Sequence, residues 1–191
     1  TARMVTFIAL LRGINVGGHK KIPMADLRDL CTGLRLADVQ TYIQSGNILF
    51  RSAERAADLE AQLERALAAR FGFPVDTLVR AATGWPALVA ANPFPDESQS
   101  QPNLVMMLLA KRTPPAAALA EAAATLQARA QDGERVVPAT DALWMYYANG
   151  AGRSKLSPAL IDRAVGSPVT ARNIRTVQTL GAMAGVLPGG A

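Results

Sequence analysis

The sequence predicts an α+β protein built by tandem duplication of a βαββαβ unit. Three observations carry this. Two runs, Met4–Leu11 and Asn103–Ala110, are apolar on both alternating faces, the pattern of a central strand covered on both sides. Each run is followed by a helical apolar stripe and then by two short strands about a tight turn. Strand starts at 4, 39 and 47 recur at 103, 134 and 143, offsets of 99, 95 and 96 residues.

The elements follow in order. After the first strand comes a Gly-rich loop, and Pro23 then opens a helix. Met24, Leu27, Leu30, Cys31 and Leu34 share one face of it, so Cys31 reads as a buried structural thiol. Val39–Ile43 and Asn47–Arg51 read as strands joined through Gln44-Ser45-Gly46. Leu59, Leu63, Ala66 and Leu67 mark a helix over about 54–70, ended by Gly72 and Pro74, with a strand at Val75–Val79 beyond. Trp85–Ala91 reads as a short helix. Asn92–Pro102 reads as a linker rich in Pro, Ser and Asp. After the strand Asn103–Ala110, the Ala-rich stretch Pro115–Gln131 reads as a helix. Arg135–Pro138 and Leu143–Tyr147 read as strands around Ala139-Thr140-Asp141. Ser157 and Pro158 start a helix to about Val165. Thr170 reads as the cap of a last helix bearing Ile174, Val177, Leu180 and Met183. The expected divisions are 1–83, a linker with a short helix over 84–102, and 103–191.

Composition narrows the function. The chain has 191 residues, 50% apolar and 18% charged, which is globular rather than disordered. One cysteine excludes an internal disulfide framework, and one histidine excludes a multi-histidine metal site. No cofactor and no metal are expected. No apolar run approaches the ~20 residues of a membrane span, and no signal peptide is visible, so a cytoplasmic protein with no membrane partner is expected.

The net charge of +5 is unevenly placed. Residues 1–25 hold Arg3, Arg12, Lys20 and Lys21 and no acid, giving +4. Residues 142–191 hold Arg153, Lys155, Arg163, Arg172 and Arg175 against Asp162, again +4. The middle carries −3. Should folding bring the ends together, they make one anion-attracting site.

Four motifs carry chemistry. Arg12-Gly13-Ile14-Asn15-Val16-Gly17-Gly18-His19-Lys20-Lys21 joins a buried strand to a helix. Its glycines allow positive φ and expose amides, and its bases neutralise a bound anion. It is a near miss to a P-loop. Gly13 and Gly18 have the right separation, but His19 and Lys20 stand where Lys and Ser or Thr are needed, which rejects a standard nucleotide triphosphatase. Tyr42-Ile43-Gln44-Ser45-Gly46-Asn47 reads either as a plain hairpin turn or as a set in which Gln44, Ser45 and Asn47 donate hydrogen bonds to one ligand. Gly150-Ala151-Gly152-Arg153-Ser154-Lys155 resembles an anion-binding nest. Thr170-Ala171-Arg172-Asn173 reads as a helix start with a capping Thr and a base. Each also has an ordinary reading, as a glycine turn, a solvated base or a cap.

These residues together resemble a known family. The stretches Ile8-Ala9-Leu10-Leu11-Arg12-Gly13-Ile14-Asn15-Val16-Gly17-Gly18, Tyr42-Ile43-Gln44-Ser45-Gly46-Asn47, Asn92-Pro93-Phe94-Pro95, Arg153-Ser154-Lys155-Leu156 and Thr170-Ala171-Arg172-Asn173 are similar to the bacterial domain-of-unknown-function family numbered 1697. The resemblance runs from about Met4 to Met183. It implies a tandem α+β, ferredoxin-like architecture and supplies no activity, substrate or catalytic residue.

The expected function is binding of a phosphate-bearing ligand, an anionic small molecule or, weakly, nucleic acid, in a basic Gly-rich site between the halves. The residues expected there are Arg12, Gly13, Asn15, Gly17, Gly18, Lys20, Ser45, Asn47, Arg153, Ser154, Lys155, Thr170, Arg172 and Asn173. Replacing Lys155 or Arg172 by Ala is expected to weaken anion binding and to leave folding intact. The alternatives are a phosphoryl-transfer or hydrolase enzyme on the same site, and an interaction module for an acidic partner. The motifs hold no Asp or Glu, which disfavours the enzyme.

Overall fold

The structure is a computed structural model, and it describes residues 2–189. The strands are β1 (Val5–Leu11), β2 (Ala37–Tyr42), β3 (Asn47–Ser52), β4 (Thr77–Ala81), β5 (Val105–Ala110), β6 (Arg135–Ala139), β7 (Ala142–Tyr146) and β8 (Val169–Asn173). The helices are α1 (Met24–Gly33), α2 (Ala56–Phe71), α3 (Trp85–Ala90), α4 (Pro95–Ser100), α5 (Ala116–Gln127), α6 (Pro158–Val165) and α7 (Ile174–Met183). Helix and strand are mixed in two similar halves, each with a four-stranded antiparallel sheet. The sheet orders are β2-β3-β1-β4 and β6-β7-β5-β8, so the second repeats the first strand for strand. The described chain divides into two compact units, one of residues 2–86 with 180–189 and one of 87–179.

In the first unit β1 lies between β3 and β4, with Phe7 opposite Phe50 and Ala9 opposite Ile48. Their side chains meet the apolar stripes of α1 (Leu27, Leu30, Cys31) and α2 (Leu59, Leu63, Leu67). Each such buried side chain contributes about 1.5–3 kcal/mol of transfer free energy. The alternate residues Ile8 and Leu10 are buried as well, which is why β1 reads as apolar throughout. Gly72 ends α2 in the left-handed region at φ +81°. The strand expected at Val75–Val79 sits two residues later, at Thr77–Ala81, a shift that preserves which side chains face the core.

In the second unit α5 and α6 cover β5, β6 and β7 through Leu119, Leu126 and Ile161. The Ser157 Oγ accepts from the Leu160 amide at 3.2 Å and Pro158 fills the first helical position, as the sequence indicates. Helix α5 stops at Gln127, short of the expected Gln131. There the Gln127 side chain turns outward to serve β6: Nε2 donates to the Glu134 carbonyl at 3.0 Å and Oε1 accepts from the Val136 amide at 2.7 Å.

Two expectations are overturned. Asn92–Pro102 is not plain linker, because Pro95–Ser100 forms α4, with Pro95 at its first position and Asp96 and Glu97 in its first turn. Nor does Thr170 cap a helix. Val169–Asn173 is the strand β8, paired along β5 with Leu109 opposite Thr170 and Met107 opposite Arg172. The cap of α7 is Asn173, whose Oδ1 accepts from the Thr176 amide at 3.0 Å. Pairing along β5 outweighs the weak local preference of Thr for a cap.

Candidate functional site

The first unit gathers two of the sequence motifs at one end of its sheet. The loop after β1 and the turn between β2 and β3 emerge side by side, because Leu10 is opposite Asn47 and Tyr42 is opposite Asn47. Asn15 joins them. Its Nδ2 donates to the Ile22 carbonyl at 3.0 Å and to the Gln44 carbonyl at 2.7 Å, and its Oδ1 accepts from the Ile22 amide at 2.8 Å. Asn15 holds φ +54°, a region Asn tolerates better than most residues.

The loop itself is tightly wound. Gly13, Gly17, Gly18 and Lys20 also have positive φ. The His19 amide donates to the Val16 carbonyl at 3.0 Å, and Gly17 and Gly18 between them have φ +58° and +77°, as a type I′ turn requires. The amides of Arg12, Asn15, His19 and Ile22 are spent inside the protein. Those of Gly17, Gly18 and Lys21 donate to nothing among the described residues.

A groove of about 440 Å³ lies against this loop, lined by Asn15, Gly18, Lys21, Ile22, Pro23, Met24 and Gln44. No acid lines it. Helix α1 begins there at Met24, and Pro23 at the N-cap position has no side chain able to cap it. The nearby acids have partners already: Asp76 lies 3.4 Å from Arg12 Nη1, and Asp26 lies 3.7 Å from Arg70. Lys20 Nζ donates to the Pro74 carbonyl at 3.3 Å. Lys21 is exposed.

Ser45 and Asn47 sit beside the loop in a structural role. Asn47 is buried, and its Nδ2 donates to the Tyr42 carbonyl at 2.9 Å and to Ser45 Oγ at 3.0 Å. Gly46, at φ +86°, lies where a Cβ would come within 2.7 Å of Leu11 Cβ, and its carbonyl accepts from the Leu11 amide at 2.8 Å.

The other candidates belong to the second unit. Arg153 and Lys155 are exposed on the loop after β7, where Ser154 Oγ accepts from the Leu156 amide at 3.1 Å. That loop leaves the end of the sheet at which Asn173 also lies, since Met106 is opposite both Met145 and Asn173. Arg172 is buried. Its Nη1 donates to Thr170 Oγ1 at 2.7 Å and to the Ala171 carbonyl at 3.0 Å. Burial pushes its pKa down to about 10, so it stays cationic at neutral pH.

Sequence reasoning missed several groups. Met24 lines the groove although the sequence reads it only as part of a helical stripe, while Lys21 and Gln44, which also line it, already stand in two of the motifs. Asp76 is 64 residues from Arg12, with no local signal. In the second unit the Arg135 guanidinium lies 4.8 Å from the Phe94 ring centre and 5.1 Å from that of Tyr146, and is paired with Glu97. Among the described residues no group of three or more His, Cys, Asp or Glu side chains is placed to hold a metal ion. No helix among them is long and apolar enough to cross a membrane.

Fold and site together define a two-sheet mixed α and β protein with a basic, glycine-wound loop beside a small groove. The sequence profile of a family described as protein of unknown function, DUF1697, matches residues 4–144, and the chain belongs to that family. No curated protein matches it. Among solved structures it is similar to the conserved bacterial protein SP0830 from Streptococcus pneumoniae. The two are 25% identical with a TM-score of 0.74, over 95% of this chain and 99% of that one.

Proposed function

We propose that the protein binds a phosphate-bearing ligand, a nucleotide or a nucleic-acid backbone, at the glycine-wound loop of its first unit. One observation carries this reading. The groove is lined by Lys21 and Gly18, contains no acid, and opens beside amides that donate to nothing else. Amides in left-handed turns and an uncapped helix start both favour a bound anion. Arg12, Gly13, Asn15, Gly17, Lys20, Ser45 and Asn47 position that loop. Arg153, Ser154, Lys155, Thr170, Arg172 and Asn173 supply a second basic set, in the second unit.

We further propose that each half is a ferredoxin-like unit and that the pair arose by tandem duplication. The matching sheet orders and the shared βαββαβ sequence of elements support this. A cytoplasmic setting fits the single buried thiol.

The test is a thermal-shift screen over phosphate, sulfate, nucleotides and short oligonucleotides. A ligand at 100 times its Kd stabilises the fold by about 2.7 kcal/mol. A saturable shift with a phosphate-bearing compound supports the reading. Salt-sensitive capture of an acidic protein without any such shift supports an interaction module instead.

A further inference from the structure

We infer that the groove of the first unit takes a nucleoside monophosphate, with the phosphate at Lys21 and Gly18 and the base against Val16 and Ile43. This rests on the anion reading of the same groove and adds what the rest of the ligand must be.

Size is the first argument. At about 440 Å³ the groove falls in the range of small-molecule sites. A phosphate ion occupies a few water volumes of about 30 Å³ each and would leave most of it unfilled.

Lining chemistry is the second. Asn15, Gly18, Lys21 and Gln44 are polar, while Ile22, Pro23 and Met24 are apolar. The ligand therefore has an anionic end and an apolar body with hydrogen-bonding edges, which Gln44 is free in type to read as donor or acceptor.

The third argument is where the molecule exposes apolar surface. Val16 is 65% exposed and Ile43 50%, and Met4 is the one other exposed large hydrophobic among the described residues. Val16 follows Asn15 and Ile43 precedes Gln44, the two residues joined across the groove at 2.7 Å. Neither side chain lines the groove itself, but each is the chain neighbour of a residue that does, and the pair offers a flat apolar group a contact at the groove's edge. A single-stranded polymer would instead need a track of stacking aromatics, and none lines the groove.

Calorimetric titration separates the possibilities. The four nucleoside monophosphates, ribose 5-phosphate, inorganic phosphate and a short oligonucleotide are compared on the intact protein. At least one mononucleotide is expected to bind about tenfold or more tightly than ribose 5-phosphate, the worth of one modest apolar contact. Ile43→Gly suits the positive φ at that position and is expected to erase the advantage while leaving ribose 5-phosphate affinity unchanged. Val16→Ser checks the same point with a second side chain. Lys21→Met is expected to weaken every phosphate. Equal binding of mononucleotide and ribose 5-phosphate overturns this inference and keeps the anion reading. Absence of binding by every phosphate overturns both. Preference for the oligonucleotide over every mononucleotide assigns the groove to a polymer and also overturns the inference.

Discussion

Asn15 and Gln44 are 29 residues apart, yet the Asn15 amide is bonded to the Gln44 carbonyl at 2.7 Å, locking the glycine loop to the neighbouring hairpin turn. Because the same side chain also exchanges two bonds with the Ile22 backbone, one residue fixes both walls of the groove. The groove is thus set by a polar staple together with the buried side chains of Ile14 and Ile22.

Asn15→Ala is therefore expected to cost about 1–3 kcal/mol, from lost hydrogen bonds and from Ala held at positive φ. Asn15→Gly removes the backbone penalty and is expected to cost less. Urea denaturation of both variants measures the difference. A variant pair with the wild-type midpoint would show that the staple contributes nothing.

Gly46 and Gly13 make a matched pair. Both have positive φ, but a Cβ at Gly46 would come within 2.7 Å of Leu11 Cβ and 2.8 Å of Ile14 Cδ1, while one at Gly13 meets nothing within 4 Å. Gly13→Ala is expected to cost about 1 kcal/mol, the left-handed penalty alone. Gly46→Ala adds an overpacking cost of about 1–3 kcal/mol. Equal thermal midpoints for the two would refute the close approach.

Much of the fold is legible in the residues because it is local. β1 is apolar on both faces, α1 and α2 carry stripes at helical spacing, and Ser157-Pro158 starts α6. What escapes is held from a distance. β8 is five residues long and three of them, Thr170, Arg172 and Asn173, are polar. Only pairing to β5 makes it a strand. Helix α4 buries no residue of its own, so it leaves no apolar period to read. The candidate site divides in the same way. Glycines and bases announce the loop, but Asp76 beside Arg12 and Gln44 beside Asn15 depend on strand order.

Cys31 is fully buried, and burial pushes its thiol up to about 12. At pH 8 the thiolate fraction is then on the order of one part in ten thousand. Native protein is expected to react with a disulfide reagent only as fast as it unfolds, and denatured protein at once. Rapid modification of the native state would contradict the packing of α1 on β1.

Arg135 joins α4 to the β6–β7 hairpin by resting on Phe94 and Tyr146 and pairing with Glu97. The Arg135 hydrogen bond holds the Glu97 carboxyl below its ordinary range. A depressed acid contributes stability that is present above its unfolded pKa and lost as pH falls through its folded one. Arg135→Met is expected to cost about 1–2 kcal/mol at pH 7 through its two ring contacts. Its deficit against the wild type should shrink as pH falls below the ordinary Glu range. A deficit constant between pH 7 and pH 3 in calorimetric melts would show that Glu97 takes no part.

Lys155 and Arg172 are expected to behave differently, although the sequence suggests that both can be truncated without harm to folding. Lys155 is exposed on the loop after β7, so Lys155→Ala should change stability by no more than about 0.5 kcal/mol. Arg172 is buried, with Nη1 on Thr170 Oγ1 and the Ala171 carbonyl. Arg172→Ala leaves a cavity and removes a donor, a loss of about 2–4 kcal/mol. Its lowered pKa sets the sign of the charge effect. Folding disfavours the cation, so this group is a cost at pH 7 that eases as pH climbs through about 10. Arg172→Met keeps the length without the charge and is expected to recover part of what Arg172→Ala loses. Urea midpoints at pH 7 rank the three proteins: wild type, then Met, then Ala. An Ala variant as stable as the wild type would mean that Arg172 is not built into the sheet, and its role would then lie with a bound anion.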